Sequence, residues 1–365
     1  MTKLHELARL GQSVWLDFIR RSLLEKGELR KLVEQGIRGV TSNPTIFDRA
    51  ISGSDDYDED LRPLSGEAKS PEEIFEVLAF RDITLAADIL RPVYEATGGL
   101  DGYVSLEVSP RLAHDAAGTV AEVRRYFRTL DRPNVLIKVP ATPAGIHAVQ
   151  TLISEGININ VTLIFSLAQY EAVAEAYISG LEKFHDRGGQ IGKIASVASF
   201  FVSRVDTAVD RALEKMGLTE LQGKAAVANA KLAYARFREI FGGERWQRLA
   251  RKGARVQRPL WASTSTKNPK YPDTLYVDNL IGPDTVNTMP PETLAAVLDH
   301  GRVALTVEEG LDEARAHLAR LAEVGIDLDK ITQQLQDEGV DAFAKSFASL
   351  LASIAAKCEK IHGVF

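Results

Sequence analysis

The sequence contains one cysteine, Cys358, among 365 residues. A single cysteine excludes a disulfide framework or a thiolate zinc site within one chain. Residues 1–12 contain no apolar segment of signal-peptide length, and no uninterrupted run of about 18 apolar residues occurs elsewhere. These absences predict a cytoplasmic protein that does not partner with a membrane.

The chain also lacks an excess of positive charge. The chain carries 44 Lys and Arg against 50 Asp and Glu, a formal net charge of −6 without a basic region. Nucleic acid is therefore not an expected partner. Hydrophobic residues make up 45% of the chain, which is enough for a large core.

A short β-like run, a polar turn and a helical pattern alternate along the chain, which predicts a parallel sheet. Eight such runs match the strand count of a (β/α)8 TIM barrel. No G-x-G-x-x-G turn supports a doubly wound sheet instead. The prediction is an α/β fold with extra helices, residues 1–365 forming one barrel domain with helical N- and C-terminal extensions. The predicted strands are 13–17, 37–41, 102–108, 134–142, 157–165, 194–202, 259–264 and 274–277.

Three helical predictions accompany these strands. A single helix is expected over about 25–35, and a loop with a short helix over 48–70. A long helix is expected from Glu72 to about Glu95, because Ser70 and Pro71 before two glutamates form a typical helix start.

Within residues 134–142, Lys138 interrupts an apolar run, and Val139 and Pro140 follow it. An ammonium buried without a partner is costly, so burial favours the neutral amine. A neutral lysine is a nucleophile that can form a Schiff base with a carbonyl substrate. The strand alone leaves another interpretation open, in which Lys138 reaches water at the strand end or pairs with a carboxylate.

Other distinctive polar residues fall at the C-terminal ends of the predicted strands, where barrel enzymes place their functional groups. Any of them could instead have a structural role. Asp17 could cap a helix or loop, Asn43 could form a turn, and Glu107 could be the ion-pair partner of Lys138. Only the short eighth run lacks such a residue. The set is Asp17, Asn43, Glu107, Lys138, Asn160, Thr162, Ser199, Ser265 and Lys267.

From Trp15 to about Pro290 the chain resembles the transaldolases. The segments that carry the resemblance are Trp15-Leu16-Asp17, Thr41-Ser42-Asn43-Pro44-Thr45, Ser105-Leu106-Glu107-Val108, Ile137-Lys138-Val139-Pro140-Ala141-Thr142, Asn160-Val161-Thr162-Leu163-Ile164-Phe165-Ser166 and Phe201-Val202-Ser203-Arg204-Val205-Asp206.

The resemblance implies a barrel that is circularly permuted relative to other class I aldolases, with the lysine on strand four. It implies a cytosolic enzyme of the non-oxidative pentose phosphate pathway with no metal or organic cofactor. The implied reaction transfers a dihydroxyacetone unit from sedoheptulose 7-phosphate to glyceraldehyde 3-phosphate, giving erythrose 4-phosphate and fructose 6-phosphate.

The resemblance also implies roles for four catalytic residues. Lys138 forms the Schiff base, and Glu107 acts as acid and base on the carbinolamine through a water molecule. Thr162 orients that water. Asp17 exchanges the proton of the sugar C4 hydroxyl as the carbon–carbon bond breaks or forms.

The remaining implied residues bind substrate. Two amides and a serine contact the dihydroxyacetone unit, a phenylalanine walls the site, and three further residues hold the terminal phosphate. They are, in that order, Asn43, Asn160, Ser199, Phe201, Arg204, Ser265 and Lys267.

Two segments depart from the family pattern. Ser199-Phe200-Phe201 replaces Ser-Pro-Phe, and Ser265-Thr266-Lys267-Asn268 replaces Ser-Phe-Arg-Asn. The second departure puts lysine at the phosphate contact, and lysine binds as a point charge where arginine binds bidentately.

Two other functions remain open from the sequence. One is an aldolase that releases free dihydroxyacetone or cleaves fructose 6-phosphate with the same lysine. The other is a catalytically silent barrel that serves as a binding protein. The sequence leaves both a monomer and a homodimer open.

Overall fold

A closed parallel barrel forms the centre of the computed structural model, which describes residues 1–67 and 69–362. Within those ranges eight strands pair in sequence order, and the last pairs with the first. The predicted (β/α)8 barrel is therefore confirmed. The strands are β1 Gln12–Leu16, β2 Gly39–Thr41, β3 Tyr103–Glu107, β4 Val135–Pro140, β5 Ile159–Ile164, β6 Ser196–Phe201, β7 Arg258–Ala262 and β8 Thr285–Met289.

The helices surround the barrel and bury an apolar face against it. The helices are α1 Lys3–Arg9, α2 Arg21–Glu25, α3 Glu28–Glu34, α4 Pro44–Ser52, α5 Asp58–Ser65, α6 Pro71–Ala96, α7 Ala116–Leu130, α8 Pro143–Ile153, α9 Leu167–Asp186, α10 Ser203–Met216, α11 Ala225–Gly242, α12 Glu244–Ala250, α13 Leu275–Asn279, α14 Pro291–His300, α15 Leu311–Glu323 and α16 Leu328–His362.

The long helix α6 begins where the sequence predicts. Ser70 accepts a hydrogen bond from the backbone N–H of Glu73, and the Glu73 carboxylate accepts one from the backbone N–H of Ser70. This reciprocal cap satisfies amide groups that the first helical turn leaves free. Two helices occupy the region 48–70, where the sequence predicted one.

The helix predicted over about 25–35 is confirmed over Glu28–Glu34 as α3, while Glu25 ends the separate helix α2. Gly27 separates them with φ of +78°. That left-handed conformation suits glycine and ends a helical segment.

The eighth strand predicted at 274–277 is wrong. These residues enter α13, where Thr274 accepts a backbone hydrogen bond from Asp278 at 2.9 Å and its hydroxyl donates to the same residue's carboxylate at 2.8 Å. A β-branched and aromatic composition favours strands only weakly, and helical contacts four residues apart prevail here. The true eighth strand, β8, contains Asn287 among threonines, so it shows no simple apolar pattern.

The last helix, α16, packs on α4 and reaches the C-terminal ends of β4 and β5. Its length and composition alone would let its stretch Leu328–Ile361 cross a membrane, which is weak evidence because core helices pass the same test. One face of α16 is buried in the core of the described structure, at Leu335, Val340, Phe343, Phe347, Leu350 and Ile354.

Candidate active site

A cavity of about 260 Å³ opens at the C-terminal ends of the strands. Most of the residues predicted for the site line it, which brings together side chains that are far apart in sequence. Glu107 and Asn160 are not among the lining residues and lie behind them, against Lys138 and Ser199. The predicted residues that line the cavity are Asp17, Asn43, Lys138, Thr162, Ser199, Phe201, Arg204, Ser265 and Lys267.

Lys138 and Glu107 face each other across β3 and β4, whose register pairs these two residues. Lys138 Nζ is 3.2 Å from Glu107 Oε2, and only about one twentieth of each side chain is exposed. Nζ also donates a hydrogen bond to the carbonyl oxygen of Ser42 at 3.0 Å. The resemblance implies that Glu107 acts through a water molecule, whereas the structure has the direct ion pair that the sequence left as the alternative, because neighbouring strands bring register partners this close.

The carboxyl group of Glu107 is held in an environment that favours its neutral form. Burial raises the pKa of Glu107 above its usual range, although the positive charge of Lys138 opposes the rise. The charge of Asp17 raises this pKa further. A carboxyl group with a raised pKa keeps its proton to a higher pH than an exposed glutamate and so is better suited to donate one.

Asp17 follows directly after β1 and is held by a chain of hydroxyl groups. Thr41 Oγ1 donates to Asp17 Oδ1 at 2.6 Å and also contacts Thr288 Oγ1 at 2.6 Å. Burial raises the pKa of Asp17, while Lys138 and the Thr41 hydrogen bond act against the rise. A carboxylate with a raised pKa is a better proton acceptor than an exposed aspartate.

Thr162 lies near the end of β5, two positions after Asn160 on the strand that neighbours β4. Its side chain is buried, and its hydroxyl has no hydrogen-bond partner among the residues that the structure describes. Leaving a buried hydroxyl without a hydrogen bond is costly. Because Thr162 lines the cavity, a small polar molecule bound there could supply that hydrogen bond.

Ser199 is fixed by an amide behind it. Its hydroxyl donates to Asn160 Oδ1 at 2.7 Å, and Asn160 Nδ2 donates to Ser105 Oγ at 3.1 Å. Asn160 is fully buried and both ends of its amide are used. The side chain therefore positions Ser199 in this structure.

Asn43 combines the predicted turn role with a place in the cavity. Its Oδ1 accepts a hydrogen bond from the backbone N–H of Ile46 at 2.9 Å, which caps the N-terminus of α4. Pro44 stands at the first position of that helix, as expected for such a start.

The far side of the cavity carries positive charge. Arg204 stacks over the ring of Phe201, with 5.5 Å between the guanidinium carbon and the ring centre. Lys267 Nζ donates to Ser265 Oγ at 2.6 Å. Neither Arg204 nor Lys267 forms an ion pair with another residue in the described part of the chain.

Desolvation affects both of these cations. It lowers the pKa of Arg204, with a smaller opposing effect from Glu338. Lys267 keeps exposed surface, yet desolvation within the cavity is the first cause that lowers its pKa. Glu292 opposes this effect, and the nearby positive charges of Arg204 and Arg49 add to it. Like charges held together in this way favour an anionic ligand.

Sequence reasoning missed several residues that line the cavity, including Arg49, Thr288, Glu292 and Phe343. Arg49 had a usable signal, since it lies six residues after Asn43 on the helix that Asn43 caps. Phe343 had none, because only the tertiary path of α16 brings it to the barrel. In the described residues, no group of three or more His, Cys, Asp or Glu side chains is arranged to hold a metal ion.

Comparisons with known proteins agree with this site. The profile of the family described as transaldolase/fructose-6-phosphate aldolase matches residues 14–354. A protein of Thermobifida fusca named transaldolase is 52% identical over 357 residues, which cover 96% of this chain and 97% of that one. Transaldolases of Thiobacillus denitrificans and Trichodesmium erythraeum are 51% and 47% identical, covering 96% and 98% of this chain and 98% of each relative. This chain therefore belongs to the transaldolase/fructose-6-phosphate aldolase family.

Proposed function

We propose that the protein is a transaldolase that transfers a dihydroxyacetone unit from sedoheptulose 7-phosphate to glyceraldehyde 3-phosphate. The products are erythrose 4-phosphate and fructose 6-phosphate, as in the non-oxidative pentose phosphate pathway. The observation that carries this proposal is the buried amine of Lys138, which lines a cavity beside a carboxyl group of raised pKa. Membership of the family implies phosphosugar substrates.

The first step joins Lys138 to the donor ketose. With the proton that the two side chains share on Glu107, the neutral amine attacks the ketone carbon, and the resulting carbinolamine loses its hydroxyl as water when that proton is returned. Glu107 is the acid in this proposal, because its contact with Nζ and its raised pKa make proton donation feasible. The free hydroxyl of Thr162 orients the departing water.

The second step breaks the bond between C3 and C4 of the donor. Asp17 accepts the C4 hydroxyl proton, and the electron pair of the broken bond moves into the iminium group to give an enamine. The aldose phosphate leaves, and the acceptor aldehyde then reacts in the reverse sense. Thr41 holds the Asp17 carboxylate by its 2.6 Å hydrogen bond.

The remaining contacts position the sugar. Asn43 and Ser199 bind hydroxyls of the three-carbon unit, with Asn160 holding Ser199 in place. Phe201 walls the cavity. Arg204, Ser265 and Lys267 bind the terminal phosphate, and Arg49 adds a third cation on the same side.

An aldolase that cleaves fructose 6-phosphate and releases free dihydroxyacetone is the second candidate. The family description joins the two activities, but the relatives that are 47–52% identical are named transaldolase, which favours the transferase. The two differ in whether the three-carbon unit waits on the enzyme for an acceptor.

Several coarser features belong to the same proposal. We take residues 1–365 as one barrel domain with helical extensions, working in the cytoplasm as a monomer or a homodimer. No organic cofactor or metal is needed for the steps above, and neither nucleic acid nor a membrane is proposed as a partner.

The test combines trapping with product analysis. Fructose 6-phosphate is mixed with the enzyme, reduced with borohydride and analysed by mass spectrometry for a covalent adduct at Lys138. A parallel assay compares products with and without erythrose 4-phosphate as acceptor. A transaldolase needs the acceptor for turnover. Steady release of dihydroxyacetone without an acceptor would establish the aldolase instead.

A further inference from the structure

Gln336 of α16 joins the ends of two barrel strands. Its side chain is 2% exposed, and its Nε2 donates to the carbonyl oxygens of Ala141 at 2.9 Å and Leu163 at 3.1 Å. Ala141 follows β4, the strand that carries Lys138, and Leu163 directly follows Thr162 in β5. One amide from a distant helix therefore connects the two backbone segments on which the proposed chemistry depends.

The backbone at Leu163 needs such support. The pairing of β5 with β6 shifts by one residue between Val161 and Ile164, which marks a bulge. Leu163 adopts φ of +59°, a left-handed conformation that is costly for a residue with a branched side chain. Strained backbone persists only where its surroundings determine it strongly.

Two further contacts fix this bulge. The backbone N–H of Ala141 donates to the carbonyl oxygen of Thr162 at 2.7 Å, so the segment held by Gln336 also holds Thr162. Gly339, one turn later in α16, lies so close that an added Cβ would be 2.9 Å from Leu163 Cδ2. The helix therefore approaches the bulge closely at two successive turns, at Gln336 and at Gly339.

We propose that Gln336 is a positioning residue for catalysis. It holds the bulge after Thr162, and thereby keeps the free Thr162 hydroxyl where it can orient the water that leaves the Lys138 carbinolamine. The inference rests on the proposed Schiff-base function and adds a part of the chain, α16, that contributes no reacting group. Gln336 acts through the backbone of Ala141 and Leu163 and does not line the cavity.

The consequence is specific to one step. Loss of the Gln336 amide removes a hydrogen-bond donor from each of two backbone carbonyls and lets the bulge relax, which moves Thr162. A misplacement of about 1 Å near a reacting group can cost on the order of 100-fold in rate. The Gln336 amide nitrogen donates to the Ala141 and Leu163 carbonyls and to none of the residues proposed to bind the phosphate, so we expect phosphate binding to change less than the rate.

The experiment uses Gln336→Met, which keeps the length of the side chain and removes both donors. The rate of adduct formation with fructose 6-phosphate is measured by rapid quenching into borohydride, at several sugar concentrations. We expect the maximal rate to fall about 10- to 100-fold, with the half-saturating concentration nearly unchanged. Gln334→Met is the matched control, because Gln334 lies on the exposed side of the same helix and its amide bonds only Glu338.

A double-variant cycle separates positioning from simple destabilisation. If Gln336 acts through Thr162, adding Gln336→Met to Thr162→Val should cost little beyond Thr162→Val alone. Thermal unfolding of each variant shows that the assays are made on folded protein. If Gln336→Met does not fold, Gln336→Asn, which keeps the amide on a shorter side chain, carries the same prediction and the same cycle.

Three results would overturn the proposal: adduct formation at the wild-type rate in Gln336→Met, an equal loss in Gln334→Met, or losses that multiply in the double variant. Absence of any adduct in the wild-type enzyme is a different result. It would instead refute the Schiff-base function on which the inference rests.

Discussion

Lys138 and Glu107 occupy one register position on neighbouring strands, with Nζ 3.2 Å from Oε2 and both side chains almost entirely buried. A buried pair of this kind contributes little net stability, because removing two charges from water offsets most of their attraction. Removal of one partner is more costly than removal of both. The pair is therefore better explained by chemistry than by stability.

Lys138→Ala should abolish the borohydride-trapped adduct and leave Glu107 without its cation. Loss of that positive charge raises the pKa of Glu107 further. The folded pKa of Glu107, already above the unfolded one, then lies higher still, so stability falls further as pH rises through the folded pKa. The variant should therefore lose more stability relative to wild type at pH 8 than at pH 5, as measured by thermal unfolding. Adding Glu107→Gln should remove that pH dependence, and an unchanged dependence would show that it arises elsewhere.

Glu107→Gln should slow formation of the adduct more than it weakens sugar binding. Gln keeps the shape of the side chain but cannot donate the proton that expels water from the carbinolamine. Loss of a general acid costs about 10² to 10⁴ in rate. The measurement is the build-up of trapped adduct before steady state. Normal build-up followed by slow turnover would move Glu107 to a later step.

Asp17→Asn should stall the reaction after the adduct has formed. Asn can still accept the hydrogen bond that Thr41 donates, but it cannot take the C4 hydroxyl proton. Mass spectrometry of protein trapped with fructose 6-phosphate should then show the whole six-carbon sugar phosphate. A three-carbon fragment as the main species would mean that another group accepts the proton.

The barrel was predictable because alternating elements and eight β-like runs have few alternative arrangements. The misplaced eighth strand shows the limit of that reasoning. Residues 274–277 have strand-like composition, yet α13 forms there. The strand β8 lacks a recognisable apolar pattern because it contains polar residues such as Asn287 and Thr288, which hydrogen-bond other side chains. Local composition does not reveal which polar groups find partners after folding.

The site was predictable to the extent that it lies at strand ends. Lys138 and Asp17 could be found because the first interrupts an apolar run and the second closes one. Phe343 and Gln336 could not, since α16 reaches the barrel from nearly 200 residues beyond β4. The sequence offered the direct Lys138–Glu107 contact only as an alternative, because choosing it requires the register of β3 on β4.

Asp206, which does not line the active-site cavity, gives a prediction about stability. Its carboxylate accepts hydrogen bonds from the Ala226 backbone N–H at 2.7 Å and the Tyr276 hydroxyl at 2.9 Å, and its side chain is 1% exposed. Burial raises the pKa of Asp206 to about 6, against about 3.9 for an unfolded chain. Because the folded pKa is the higher one, wild-type stability should fall by roughly 2 kcal/mol between pH 4 and pH 7 on account of this group.

Asp206→Asn removes the titration and keeps an oxygen acceptor for Ala226. The variant should therefore gain stability relative to wild type as pH rises from 4 to 7, as measured by urea unfolding at both values. Asp210→Asn is a useful comparison, because Asp210 is a neighbouring carboxylate that is only partly buried. Parallel pH profiles for wild type and Asp206→Asn would show that Asp206 titrates as it does in the unfolded chain.

The cations at the far side of the cavity should bind the phosphate without taking part in bond breaking. Arg204 and Lys267 have no ion-pair partner among the described residues, so each is free to contact an anion. A charge-assisted hydrogen bond contributes about 1.5–3 kcal/mol, which corresponds to roughly a tenfold to hundredfold change in kcat/KM. Arg204→Ala and Lys267→Ala should each lower kcat/KM for fructose 6-phosphate by about that factor.

Arg49→Ala should have a smaller effect, up to about tenfold, because an exposed guanidinium is better screened by water. Unphosphorylated fructose separates phosphate binding from other causes, since all three variants should change its already slow reaction very little. Lys267→Arg should retain most activity if the site needs only positive charge. An equal loss on the two sugars would show that these residues support the fold or the chemistry, because contacts with the phosphate cannot affect a substrate that lacks it.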